Sequence, residues 1–113
     1  MINPAQLSLI ILAGISVGVA DALIKKITLT GNFSSAFKNP LMLVIILLYI
    51  VQIVFLAYIL KNQWKLGIVG NLQMVFYSVT VILSGLIIFG EKISLVQWIG
   101  IGLALVGGIL MNL

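Results

Sequence analysis

The segment Leu41-Met42-Leu43-Val44-Ile45-Ile46-Leu47-Leu48-Tyr49-Ile50-Val51-Gln52-Ile53-Val54-Phe55-Leu56-Ala57-Tyr58-Ile59-Leu60 decides the fold. It carries no charge and stops at Lys61. A helix of about 20 apolar residues rises about 30 Å, the thickness of the hydrocarbon core of a bilayer. Only helices and closed barrels satisfy their backbone polar groups in lipid, and the run lacks the apolar–polar alternation of a barrel strand. Three further stretches share its character, so that the predicted spans are roughly Ala5–Ile24, Pro40–Leu60, Leu66–Phe89 and Ser94–Leu113. The expected fold class is all-α: one domain over residues 1–113, an integral membrane bundle of four transmembrane helices.

Composition agrees. Hydrophobic residues make up 63% of the 113 residues and charged ones only 7%, too few to clothe a soluble domain. The net charge of +4 comes from Lys25, Lys26, Lys38, Lys61, Lys65 and Lys92 against two acids, and every lysine falls in a connection or at a helix end. A nucleic-acid reader would gather such charge on one exposed face among aromatics, so no nucleic-acid partner is expected. The chain has no Cys and no His, which excludes disulfides, thiolate chemistry and the usual zinc ligand sets. No metal or cofactor is expected. Nor is an enzyme, since two acids without His or Cys supply neither an acid–base pair nor an activated nucleophile.

Local signals mark the helix ends. Asn3-Pro4 and Asn39-Pro40 each set a capping side chain before a proline suited to a first helical position. Ser94-Leu95-Val96-Gln97 has the form of a capping box. Trp64 and Trp98 fall near predicted membrane–water boundaries. The first stretch lacks a basic flank and is longer than a signal-peptide core, which predicts a retained helix. Asn32-Phe33-Ser34 matches a glycosylation sequon, a pattern too short to carry a role. Residues 25–39 form the longest connection, whereas 61–65 and 90–93 are tight turns, which predicts antiparallel packing of the helices they join. Four spans put both termini on one side. The first and third connections carry four lysines against two in the second, so the positive-inside rule favours termini outside by a small margin.

Polar residues inside the spans are the candidate site. Asp21 is the only acid in a span, and Gly18 and Gly14 lie on its face at i−3 and i−7. Such a small-residue face suits close helix contact. Asp21 is either a proton- or cation-binding carboxylate facing a cavity, or the acid of an ion pair with Lys25 at i+4. Gln73, Tyr77, Thr80 and Ser84 share a face of the third span through 4-3-4 spacing. Gln73 and Tyr77 are the members large enough to contact a ligand; Gln52 and Tyr58 in the second span are weaker candidates. In the fourth span Gly100, Ala104 and Gly108 make a small-xxx-small stripe with Gly107 beside it, a candidate dimer seam or a packing face within the chain. Glu91 reads as a solvated turn charge.

Four short helices with a glycine-rich last one resemble the small multidrug resistance family of the drug/metabolite transporter superfamily. Ile99-Gly100, Leu103, Gly107 and Asn112-Leu113 look like that family's dimer-forming segment. Phe89-Gly90-Glu91-Lys92-Ile93-Ser94, followed by Gln97 and Gly100, looks like the Gly-Glu turn before the last helix of an EamA-like repeat. The chain departs from the drug exporters in one important respect. Their mid-helix Glu has no counterpart in Ala13-Gly14-Ile15-Ser16-Val17-Gly18, and Asp21, about one turn later, is the substitute on offer. The third-helix Trp is also missing, with Gln73 near its level. The resemblance therefore implies the non-drug members, accessory subunits and flippases for lipid-linked sugars.

The expected function is a small transporter or flippase of a small amphipathic metabolite or lipid-linked compound, in a prokaryotic inner membrane. Transport sites commonly form between two repeats, and no convincing repeat lies within the chain. A partner is therefore expected: an identical copy, or a related four-helix protein. Asp21, Gln73 and Tyr77 would line the cavity, and Gly100, Ala104, Gly107 and Gly108 the seam. The alternative is a non-transporting subunit that stabilises or regulates a larger membrane complex.

Overall fold

The computed structural model describes residues 4–29 and 31–111. Asn3, expected to cap the first helix, and Asn112-Leu113, part of the resemblance, lie outside the described residues. The described chain is helical, with α1 at Pro4–Leu29, α2 at Phe33–Ala36, α3 at Leu41–Lys61, α4 at Leu66–Ile87 and α5 at Leu95–Leu110. Three of these, α1, α3 and α4, are long and apolar enough to cross a membrane, as in a multi-pass integral membrane protein. On α3, Leu43, Ile46, Leu47, Ile50, Ile53 and Val54 point outward, a surface that only lipid or another apolar partner satisfies.

The boundaries shift in informative places. The first helix continues past Ile24 to Leu29, because Ile27 is buried against Ala36 and Ile45 and the helix gains packing beyond the lysines. The long first connection contains α2, whose start is capped by Asn32: its Oδ1 accepts from the Ser35 amide at 2.7 Å. Asn39 Oδ1 accepts from the Leu41 amide at 2.9 Å at the head of α3. The expected capping box forms at α5, with Ser94 Oγ accepting from Gln97 N at 3.2 Å and Gln97 Oε1 accepting from Ser94 N at 2.9 Å. That helix has 16 residues and rises about 24 Å, short of a full hydrocarbon core.

The helices stand side by side in the order α3, α1, α4, α5, an open row. The Cα envelope measures 47 × 36 × 17 Å. Its 36 Å width is far more than the roughly 15 Å of a closed two-by-two bundle with axes 8–10 Å apart. The first helix is the hub and holds half of the buried positions among the described residues, Ile10, Ala13, Gly14, Gly18, Ala20 and Ile27. It runs antiparallel to α3: Ile27 meets Ile45 at one end, and Ile10 meets Ile59 at the other. It runs parallel to α4, since Gly14 lies against Gln73 and Gly18 against Thr80. The tight turn after α3 predicts antiparallel packing of α3 and α4, but the two are not neighbours along their lengths. They meet at their joined ends, where Ile59 and Val69 pack on Ile10, and α1 wedges between them above that point. The antiparallel expectation does hold for α4 and α5, although their contact is sparse and leaves a groove of about 120 Å³ beside Asn71, Ser78 and Ala104.

Glycine explains the closeness of α1 and α4. A Cβ at Gly14 would lie 2.6 Å from the carbonyl oxygen of Gln73 and 3.2 Å from the amide nitrogen of Tyr77, backbone atoms that cannot rotate away. At Gly18 it would lie 2.6 Å from the Thr80 Cβ. Gly70, by contrast, has nothing within 4 Å. Gly14→Ala should therefore destabilise the protein by about 1–3 kcal/mol through overpacking, while Gly70→Ala should be neutral or stabilise by up to about 1 kcal/mol. Thermal unfolding of both variants in the same detergent measures the contrast.

Candidate functional site

The close α1–α4 approach sets Asp21 beside Tyr77, and the opposite face of α1 brings in Tyr49 from α3. Asp21 is half-buried. The Tyr77 hydroxyl donates to Asp21 Oδ2 at 2.5 Å, and the Tyr49 hydroxyl donates to Oδ1. Each carboxylate oxygen is thus held by a different helix, so one acid ties together α1, α3 and α4. Hydrogen bonds to an ionised carboxylate are about twice as strong as neutral ones, and this is how such a charge is carried in apolar surroundings. Tyrosine hydroxyls also accept, so the same cluster can keep its hydrogen bonds around a protonated acid or a bound cation.

Asp21 does not form the expected alternative ion pair with Lys25. Lys25 Nζ is 2.5 Å from Glu91 Oε2 and sits 4.8 Å from the centre of the Phe89 ring. Glu91 is therefore not simply a solvated turn charge. Asp21, Lys25 and Glu91, with Ser84 and Phe89, border a cavity of about 70 Å³ between α1, α4 and the turn before α5. That volume admits water molecules or a small cationic group.

The other predicted residues divide. Tyr77 joins Asp21, whereas Gln73 lies a turn further from the Lys25 end; its carbonyl faces Gly14, and its side chain makes no hydrogen bond among the described residues. Thr80 and Ser84 turn back on their own helix, donating to the carbonyls of Phe76 and Thr80, each at 2.8 Å. Gly108 is buried inside the chain against Val75, and its carbonyl accepts from Asn71 Nδ2 at 3.2 Å. A Cβ at Gly100 or Gly107 would meet nothing within 4 Å beyond its own helix, and Ala104 is exposed beside the α4–α5 groove. The glycine stripe is thus used internally at one end and left open along the rest. Tyr58 is exposed near the end of α3, where Asn62 Nδ2 donates to its carbonyl at 2.7 Å. Trp64 is half-buried, and its Nε1 donates to Gln6 Oε1 at 2.5 Å.

Tyr49 is the residue that sequence reasoning missed. Its one signal is a hydroxyl amid nearly continuous Leu, Ile and Val, with Gln52 three residues on. No family model matches this chain, and neither a curated protein nor a solved structure does.

Removing either hydroxyl should loosen the cluster. Tyr49→Phe and Tyr77→Phe should each cost about 1 kcal/mol, between the average for hydrogen bonds in membranes and that for bonds to charged groups. The double variant should depart from additivity because the two bonds share one carboxylate. A double-mutant cycle by unfolding in detergent or bicelles checks both statements.

Proposed function

We propose that the protein is a small membrane transporter or flippase of the drug/metabolite transporter type. It works as a dimer and moves a small amphipathic metabolite or lipid-linked compound across a prokaryotic inner membrane. The observation that carries this reading is the Asp21 carboxylate, received by tyrosines of two other helices and open to a cavity. Acids inside membrane helices are costly and mark ion, proton or substrate paths. A proton or a cation bound at Asp21 alters the hydrogen bonds that its oxygens share with Tyr49 and Tyr77, which couples its occupancy to α3 and α4. Asp21 and Tyr77, with Tyr49 added and Gln73 further along the same interface, are the binding residues in this reading.

The open row favours a dimer. A single layer encloses no substrate path of its own, and a second copy in opposite orientation, or a related four-helix chain, would supply the missing wall. The open part of the glycine stripe, Gly100, Ala104 and Gly107, is the seam in this proposal. The fourth crossing is α5, whose short rise is accommodated by local thinning of the bilayer.

A second reading has its own support: both Asp21 oxygens are engaged within the chain, as they would be in a structural brace of a non-transporting subunit. Asp21→Asn separates the two readings. With the protein reconstituted in liposomes under a pH gradient, the substitution should reduce substrate flux to the level of empty vesicles if Asp21 couples transport. Unchanged flux, or full support of a copurifying complex by the variant, assigns the bracing role instead.

A further inference from the structure

The two ends of the α1 interface are built by different means. Towards the end that carries the 62–65 turn, Ile10, Ile59 and Val69 are fully buried together, with Leu9, Leu56, Leu60 and Leu72 around them. This is a close-packed apolar plug contributed by α1, α3 and α4, with Trp64 and its hydrogen bond to Gln6 at the edge. Towards the other end, Asp21 is only one helical turn, about 6 Å, from Lys25. The cavity beside it is half-open and is bordered by the Lys25–Glu91 pair, whose side chains are 42% and 50% exposed.

The chain is shaped to bring Glu91 there. Gly90 has φ +61°, the left-handed conformation that glycine adopts without strain, and it reverses the backbone after α4. The Glu91 amide then donates to the Gly85 carbonyl at 2.9 Å. Gly85 leaves room for the carboxylate, since a Cβ at that position would run into it. Lys25 reaches across from α1 to Glu91 and also rests on Phe89.

We infer that Lys25 and Glu91 form a gate over Asp21, on the membrane face that carries the 25–39 and 88–94 connections. With the pair formed, the mouth of the cavity on that face is narrowed; with it broken, Asp21 is reached more freely from that face, whereas the apolar plug lies between it and the other. An exposed ion pair with one cation–π contact is weak enough to open and re-form readily, unlike the plug. The direction of access rests on the reading of Asp21 as the binding carboxylate, but the gate can be measured without transport.

The chain has no native cysteine, so Ala22→Cys places a single small thiol in the cavity while keeping Asp21. Full-length protein in proteoliposomes is treated with a membrane-impermeant charged methanethiosulfonate from one side or, after permeabilisation, from both. A second cysteine at Ser35 or Asn62 in the same chain reports, by the mass of each labelled chain, which face of that chain the reagent reached. Ala22→Cys should react slowly, and Glu91→Gln or Lys25→Met should accelerate it about fivefold, the scale set by one weak ion pair and its cation–π contact. The acceleration should come from the Ser35 face only, and the swapped pair Lys25→Glu with Glu91→Lys should restore slow reaction. Equal rates in all backgrounds, reaction from the Asn62 face, or acceleration that the swapped pair fails to reverse would each overturn the gate. Labelling uses no substrate, so loss of the transport reading through Asp21→Asn would be distinguishable from failure of the gate.

Discussion

The contact between the glycine face of α1 and the backbone of α4 is the constraint on which the rest depends. In lipid no hydrophobic force pushes helices together, so association relies on close packing and on polar bonds between helices. Gly14 and Gly18 remove the side chains that would hold α4 away, and they bring α1 against its main-chain atoms at Gln73 and Tyr77. From that approach follow the position of Tyr77 beside Asp21, the separation of α3 from α4 along most of their lengths, and the overlap of Lys25 with the turn at Glu91. Larger residues at either glycine would move all of these together.

Polarity is distributed along α1 in a graded way. Its first half is packed with Ile10, Ala13 and Gly14 and bears no charge. Its second half carries Asp21, one turn before Lys25. Asp21 and Lys25 are each matched from another element, the acid by tyrosines of α3 and α4 and the lysine by Glu91 of the turn before α5. A single helix thus presents an apolar end and a charged end to the same interface, which gives the structure an inherent sidedness. The last helix, α5, is sparsely attached, and its apolar residues Leu95, Val96, Leu103, Val106 and Ile109 are exposed.

Much of the candidate site was legible before the fold. Asp21 stands out because an acid within an apolar run has a cost that must be met, and Tyr77 because it shares a helical face with other polar residues. Tyr49 was hidden by its setting: amid nearly continuous Leu, Ile and Val on α3, no amphipathic contrast shows which face is inward. Lys25 was legible as a partner for an acid, but the identity of that acid was not. Spacing favoured Asp21 at i+4, whereas Glu91, distant in sequence by 66 residues, is the one it meets.

The sequence by itself determined that the chain is helical and built for a membrane. It also marked the helix ends at Asn39 and Ser94 and the small face of α1, because length, hydropathy, caps and periodicity are local properties of the chain. Only the tertiary structure decided that α1 lies between α3 and α4, that Asp21 takes two tyrosines, and that Lys25 closes on Glu91. The reason is that lipid accepts every apolar face alike. In so uniform a chain, helix order is chosen by close packing at a few glycines and by hydrogen bonds between residues far apart in sequence, and neither leaves a periodic trace.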